Sequence, residues 1–301
     1  MNNNYFNYIQ PTKWIKLRRT DKLADANNIK SLNKYSDIIH NSAKFYKDNL
    51  EGKQIDYVYK EKNEVKILPV IFKKENFSHL TGINFGFSNA ENKFETLLNG
   101  NNTTPLIIET GNITFRKLKA LKKLPDILKP TSTTLTNLKA VKQAQSIGFS
   151  KGIKNEDNDL LLALHNFQPE FYQPRSLLNI KNSNEYSNVP ANTILGIFQE
   201  SNDQVTYLDE NNKERKIVVG RGAGAIALNH EYIKTPQDAL SLASVLNKSI
   251  SAYATKEKKR TINIENIDDL GRQLNHEKAV PNRKRAAKKV ALRKRFGQER
   301  E

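Results

Sequence analysis

The sequence predicts an α+β fold, in which N-terminal helices pack on an antiparallel β-sheet and a basic helical extension follows. Residues 28–50 carry apolar side chains at three- and four-residue steps, which is the period of an amphipathic helix. Between residues 145 and 219, short β-like runs alternate with turn residues, as in an antiparallel meander. A chain in which helices come first and strands follow is typical of the α+β class. The predicted parts are a basic N-terminal segment at 1–27, a mixed domain at 28–219 and a helical extension at 220–301.

A β-hairpin is predicted early in the mixed domain. Residues 54–60 alternate Tyr57 and Tyr59 with polar side chains, and residues 64–73 contain the nearly continuous apolar run VKILPVIF. The polar sequence KEKN between them is turn-like. The segment after the hairpin, KENFSHLTGINFGF, breaks this pattern with small and polar residues.

The charge of the chain favours a polyanionic partner. Lys and Arg number 49 against 32 Asp and Glu, which gives a formal net charge of +17. Such a field attracts nucleic acid, an anionic membrane surface or an acidic protein. No apolar run approaches the roughly 18 residues that a membrane-spanning helix needs, and the N-terminal residues lack the apolar stretch of a secretory signal. We therefore expect a cytoplasmic protein that binds nucleic acid and no membrane.

Two basic segments concentrate this charge. Residues 113–129 form a basic amphipathic helix, with a kink or an end at Pro125. On it Lys117, Lys119 and Lys122 are candidate nucleic-acid contacts beside a leucine stripe. A second basic helix is predicted from Pro281, and its candidate contacts are Arg283, Lys284, Arg285, Lys288, Lys289, Arg293, Lys294 and Arg295. Since this tail has few apolar residues, it is expected to stay exposed and bind a polyanion, the alternatives being a solvated tail or anionic lipid.

The sequence contains no pattern typical of a metal or cofactor site. There is no cysteine, which excludes disulfides, thiolate catalysis and thiolate zinc ligands. None of the five histidines has helical spacing to another, and HExxH is absent. GRGAGAI at 220–226 lacks both the Lys-Ser/Thr of a phosphate loop and the full dinucleotide fingerprint, so a tight turn or β-bulge is the better interpretation. We expect no metal and no cofactor.

Metal-independent RNA cleavage needs only a base, an acid and cations around the phosphate, and His79 is a candidate for the base or the acid. It lies in FSHLTGI, which we place at the end of a buried strand, where irregular backbone can approach a ligand. The alternative is a histidine that caps a turn by hydrogen bonding to the backbone.

A second candidate cluster lies in YQPRSLLNIK at 172–181. Arg175 could hold a phosphate through two hydrogen bonds, and Ser176 or Tyr172 could donate to a phosphate oxygen. The alternative is a turn that starts a strand and carries a surface arginine.

Three stretches in this order resemble the phage- and mobile-element branch of the Barnase–EndoU–colicin–RelE-like (BECR) nuclease superfamily. They are FKKENFSHLTGI at 72–83, FRKLKALKKLPDIL at 115–128 and YQPRSLLNIK at 172–181. The resemblance covers about residues 40–215. It implies N-terminal helices packed on a four- or five-stranded antiparallel sheet, and a metal-independent RNase that acts as a toxin or effector in conflicts among phages, mobile elements and hosts.

Carried over by position, the resemblance makes His79 the catalytic acid or base. Arg175 and Ser176 would bind the scissile phosphate, and Lys117 and Lys119 would be supporting cations. The implied partner is RNA rather than DNA, with a host ribonucleoprotein or a cognate immunity protein as further candidates. The alternative function is a non-catalytic protein that binds nucleic acid or a ribonucleoprotein, such as an inhibitor of a host defence complex of the anti-CRISPR type.

Overall fold

The computed structural model describes residues 4–86, 89–208 and 214–235, together with residues 238, 242 and 245. The described helices are α1 (Ala26–Asn33), α2 (Ser36–Asn49), α3 (Lys74–Thr81), α4 (Ala90–Asn99), α5 (Ile113–Leu121) and α6 (Lys142–Ile147), with short 3-10 helices at Leu124–Leu128 and Asn184–Tyr186. The described strands are β1 (Asp21–Leu23), β2 (Gln54–Glu61), β3 (Glu64–Ile71), β4 (Ile83–Phe85), β5 (Leu106–Glu109), β6 (Thr133–Leu135), β7 (Lys151–Lys154), β8 (Leu160–Gln168), β9 (Phe171–Asn179), β10 (Ala191–Leu208) and β11 (Glu214–Leu228).

The large sheet closes on itself in a barrel-like ring. Its strand order is β11-β10-β2-β3-β9-β8-β7-β6, and β6 pairs again with β10 through Ala191–Thr193 and Thr133–Leu135. Among the strand pairs whose register is described, all are antiparallel except one, where β3 meets β9 in parallel at Val70 and Tyr172. The mixed α+β class is therefore confirmed, while the sheet is curved into a ring and contains one parallel contact.

A second, three-stranded antiparallel sheet has the order β1-β5-β4. It brings the N-terminal segment against the middle of the chain, because Asp21 lies opposite Glu109 and Ile83 lies opposite Ile108. Residues of the segment predicted as 1–27 thus form part of the folded unit. The boundaries predicted at 27 and 219 stay predictions.

An aromatic cluster fixes α3 between its neighbouring helices. Phe77 of α3 packs against Tyr46 of α2 and Phe94 of α4, with ring centroids 5.1 and 5.4 Å apart. The Tyr46 hydroxyl also donates to the carbonyl oxygen of Lys73 at 2.7 Å, just before α3 begins. All three rings are buried, so the position of α3 follows from the main core.

The predicted hairpin at 54–60 and 64–73 is present as β2 and β3, in register from Gln54 with Ile71 to Glu61 with Glu64. The helix expected at 28–50 is divided into α1 and α2. The helix expected at 113–129 ends at Leu121, and a 3-10 helix with Pro125 near its start follows. The meander predicted from residue 145 is wrong in its first run, because α6 occupies Lys142–Ile147 and ends at Gly148, whose φ of +76° suits glycine.

GRGAGAI at 220–226 lies inside β11. The basic tail from Arg283 to Arg295 and most of the predicted extension at 220–301 lie outside the described residues. None of the described helices is long and apolar enough to cross a membrane. The chain divides into two compact units, and every site residue discussed below belongs to the first, which ends at Asp203 and takes in Ala223–Glu231.

Candidate active site

His79 lies in the last turn of α3. The sequence-based placement at a strand end is wrong, because KENFSHLT forms a helix whose Phe77 and Leu80 enter the core. The helix stops at Gly82, which has a φ of +70° and donates its N–H to the carbonyl oxygen of Ser78 at 3.1 Å. Glycine is favoured at such a left-handed helix end. His79 therefore lies at the end of α3, a short helix whose buried side chains pack in the core.

A buried ion pair holds the end of α3. The Lys117 ammonium donates to the His79 carbonyl oxygen and to Oε1 of Glu109, both at 3.0 Å. The Lys117 side chain is 7% exposed and that of Glu109 is 20% exposed. The second carboxylate oxygen of Glu109 has no hydrogen-bond partner among the described residues.

Thr114 completes this corner. Its hydroxyl donates to the Gly82 carbonyl oxygen and accepts the Glu109 N–H, each at 2.9 Å. A Cβ at position 82 would lie 3.0 Å from Lys117 Cδ and 3.2 Å from Thr114 Oγ1, so the corner leaves little room for a side chain. Hydrogen bonds therefore connect the end of α3, which carries His79, to β5 and α5.

Arg175 projects from a bulge in β9. The pairing of β8 with β9 shifts register between Ala163 opposite Ser176 and Leu164 opposite Pro174, which leaves Arg175 as the extra residue. Bulges of this kind redirect a side chain and are frequent beside active sites. Arg175 is exposed, and its Nε donates to the Ile147 carbonyl oxygen at 3.3 Å. Ser176, the next residue, is only 3% exposed.

The three candidate catalytic residues line one cavity of about 310 Å³. The cavity wall also contains three other cations, Arg18, Arg116 and Lys117. It contains one carboxylate, that of Glu109. Gln143 and Ser146 of α6 supply polar groups on another side. The cavity is thus cationic and polar, which suits a phosphate group with its ester substituents.

The surroundings favour the neutral form of His79. The residue as a whole is solvent-exposed, but its ring lies close enough to the protein to lose part of its hydration. This desolvation, followed by the positive charges of Arg175, Lys117, Arg18 and Lys93, lowers the pKa of His79 below its ordinary value. The neutral imidazole is the form that can accept a proton.

A second polar groove continues from the cavity. It has a volume of about 740 Å³ and shares Arg116, Gln143, Ser146 and Asn179 with the cavity. Lys119 and Lys142 add cations to its wall. Lys122, which follows the end of α5, is exposed but lines neither space.

The spacing of the leucines predicts that Lys117 faces solvent, and this prediction is wrong. Lys117 is buried because its ammonium is drawn to Glu109 and to the end of α3, and from there it lines the cavity. Among the described residues, no group of three or more His, Asp or Glu side chains is arranged to hold a metal ion. The described site offers no cluster that would bind one.

Sequence reasoning missed several residues of the cavity, among them two arginines, a glutamate and a glutamine. Arg18 belongs to a segment far from His79 in the chain and is held by Asp21, with hydrogen bonds of 2.8 and 3.1 Å. Glu109 ends a run at 103–109 that has no clear period. Arg116 lies in the basic helix predicted at 113–129, but only the charge of that segment pointed to it, and Gln143 carries no such signal. The catalytic roles of His79, Arg175 and Ser176, and the nucleic-acid roles of the lysines, stay predictions.

Comparison with known families defines the class of this protein as a phage-type, nuclease-like protein. Residues 38–216 match the family described as phage-Barnase-EndoU-ColicinE5/D-RelE like nuclease4. Because this match covers more than half of the 301 residues, the chain belongs to that family. The suspected resemblance to the BECR superfamily is thereby confirmed. None of the curated proteins and none of the solved structures compared with the chain matches it.

Proposed function

We propose that the protein is a metal-independent endoribonuclease that cleaves in the cavity between α3, α5 and β9. The observation that carries this proposal is the meeting of His79 with Arg175 and Ser176 on one cationic cavity, in a chain of a nuclease family. The phage-type family supports a setting in conflict between phages, mobile elements and their hosts.

His79 is the general base in this proposal. Its neutral imidazole takes the proton of a ribose 2′-hydroxyl, and the 2′ oxygen attacks the adjacent phosphorus. The bond from phosphorus to the 5′ oxygen breaks, and that oxygen takes a proton from water. The products are a 2′,3′-cyclic phosphate and a 5′-hydroxyl. DNA lacks the 2′-hydroxyl, so the proposal makes RNA the substrate.

Arginine side chains stabilise the charge that develops on the phosphate. Arg175 stands on its bulge beside His79, and Arg18 and Arg116 line the same cavity. Fixed cations aimed at developing charge are often the largest single contribution to catalysis. Ser176 supplies a hydroxyl donor, and Lys119 and Lys142 in the adjoining groove bind flanking phosphates.

The pH dependence of cleavage follows from the lowered pKa of His79. A base must be neutral, so kcat/KM falls as the pH drops through the His79 pKa, and its half-maximal point lies below about pH 6.5. Replacing Arg175 with glutamine removes one of the charges that lower this pKa. The midpoint of the acidic limb then moves to higher pH, in addition to any loss of rate.

The measurement is the pH profile of kcat/KM, with NMR titration of the His79 ring as a second reading. Lys119→Gln is the matched control, because Lys119 is not among the charges that lower the His79 pKa. If the pH midpoint is the same in Arg175→Gln as in the parent, the Arg175 charge does not act on His79. That result would contradict the arrangement proposed for the site.

The proposed activity is tested by incubating the full-length protein with single-stranded RNA, and with DNA of the same sequence, in excess EDTA. We expect the RNA to be cleaved and the DNA to remain intact. RNA that stays intact in EDTA, while it still binds in a salt-sensitive manner, would overturn the enzyme and favour the non-catalytic binding protein.

A further inference from the structure

Trp14 is the most exposed large apolar side chain among the described residues. It is the single tryptophan of the chain, and 82% of its surface is open to solvent. A side chain of this size contributes little to stability from such a position, so its exposure indicates a contact with something outside the fold.

The burial pattern of its segment assigns Trp14 to the same exposed face as a residue of the cavity. Burial alternates along residues 14–18: Trp14, Lys16 and Arg18 are exposed, and Ile15 and Leu17 are partly buried. Alternation with a period of two is the pattern of an extended chain. An extended chain rises about 3.3 Å per residue, which would separate Trp14 from Arg18 by about 13 Å. Arg18 lines the cavity that holds His79.

The fold holds this segment on both sides of Trp14. Phe6 is fully buried, and its N–H donates to Asn33 Oδ1 at 2.7 Å. The side chain of Ile15 packs so closely on Gly86 that a Cβ there would lie 2.9 Å from it. Beyond Arg18, strand β1 pairs with β5. Trp14 is therefore exposed on a segment that contacts the fold on both sides.

We propose that Trp14 is a stacking platform for an unpaired base of the RNA substrate, near the nucleotide that enters the cavity. Lys16 lies between Trp14 and Arg18 on the exposed face and would contact the phosphate that links the two positions. An exposed aromatic ring beside cations is the usual means of binding single-stranded nucleic acid without strong sequence preference. The inference rests on the proposed function and adds that the substrate is single-stranded at this position.

Trp14 itself is the probe for the test. The parent protein is titrated with a single-stranded 2′-O-methyl RNA, which lacks the nucleophilic hydroxyl, and tryptophan emission is recorded. We expect saturable quenching. An abasic oligonucleotide of the same length and heparin are expected to bind without quenching, because neither offers a base.

Affinity is measured in parallel from the anisotropy of a labelled oligonucleotide. Trp14→Leu is expected to weaken binding at least about fivefold, which is the lower limit for loss of one stacked base, and Trp14→Phe recovers part of it. Tyr8→Leu, another exposed aromatic residue in the segment, is the matched control and keeps the parent affinity. Binding of heparin is unchanged in all three variants.

Emission that stays constant at saturation, or parent affinity in Trp14→Leu, would overturn the stacking proposal. Quenching by heparin equal to that by RNA would overturn it too, because the contact would then not involve a base. If RNA is still cleaved in EDTA in these cases, the proposed nuclease survives and the stacking contact alone is wrong.

Discussion

Replacing His79 with alanine lowers kcat/KM for RNA cleavage by about 10²- to 10⁴-fold, the range expected for loss of a positioned general base. His79 is an exposed residue at the end of α3, which is held by Phe77 and by Lys117, so the helix stays folded without the imidazole. The affinity for uncleavable 2′-O-methyl RNA is unchanged. Single-turnover cleavage in EDTA and anisotropy titration measure the two effects separately.

His165→Gln is the matched control for this experiment. His165 lies on β8 opposite Gln173, and desolvation followed by the charge of Arg175 lowers its pKa as well. It does not line the cavity. Parent activity is expected in His165→Gln. Cleavage that persists in His79→Ala would rule out His79 as the base.

Replacing Lys117 with methionine lowers the free energy of unfolding by about 3 kcal/mol, the lower end of the range for breaking a buried ion pair. The change leaves the Glu109 carboxylate without its cation, and one of its oxygens already has no partner among the described residues. It also removes the hydrogen bond to the His79 carbonyl oxygen, so cleavage falls as the end of α3 loosens. Urea unfolding followed by circular dichroism measures the change in stability.

Two variants make this result specific. Lys119→Met, on the exposed side of the same helix, changes stability by less than about 0.5 kcal/mol. Glu109→Gln combined with Lys117→Met costs less than Lys117→Met alone, because no unpaired charge then stays buried. If the free energy of unfolding of Lys117→Met equals that of Lys119→Met, the ion pair does not stabilise the site.

Local patterns allowed much of the fold to be predicted. The hairpin of β2 and β3 follows from alternating tyrosines beside a nearly continuous apolar run. The ring closure between β6 and β10 was not predictable, because it joins strands of three and eighteen residues that are far apart in the chain. No local period encodes such a contact.

The candidate site was predicted only where its residues lie in distinctive stretches. His79, Arg175 and Ser176 stand in stretches that resemble the family, and they meet at one cavity. Arg18 and Glu109 join them through the pairing of β1 with β5, which sequence periodicity does not reveal. Lys117 was expected to face solvent, because the spacing of leucines cannot show that a carboxylate eight residues earlier turns it inward.

The most direct test uses a DNA oligonucleotide that contains a single ribonucleotide, incubated with the protein in EDTA. If the cavity supports attack by a 2′-hydroxyl, cleavage occurs only after that ribonucleotide and leaves a 2′,3′-cyclic phosphate, which mass spectrometry identifies. Cleavage at deoxyribonucleotides, or cleavage that appears only after a divalent metal is added, would contradict the proposed mechanism.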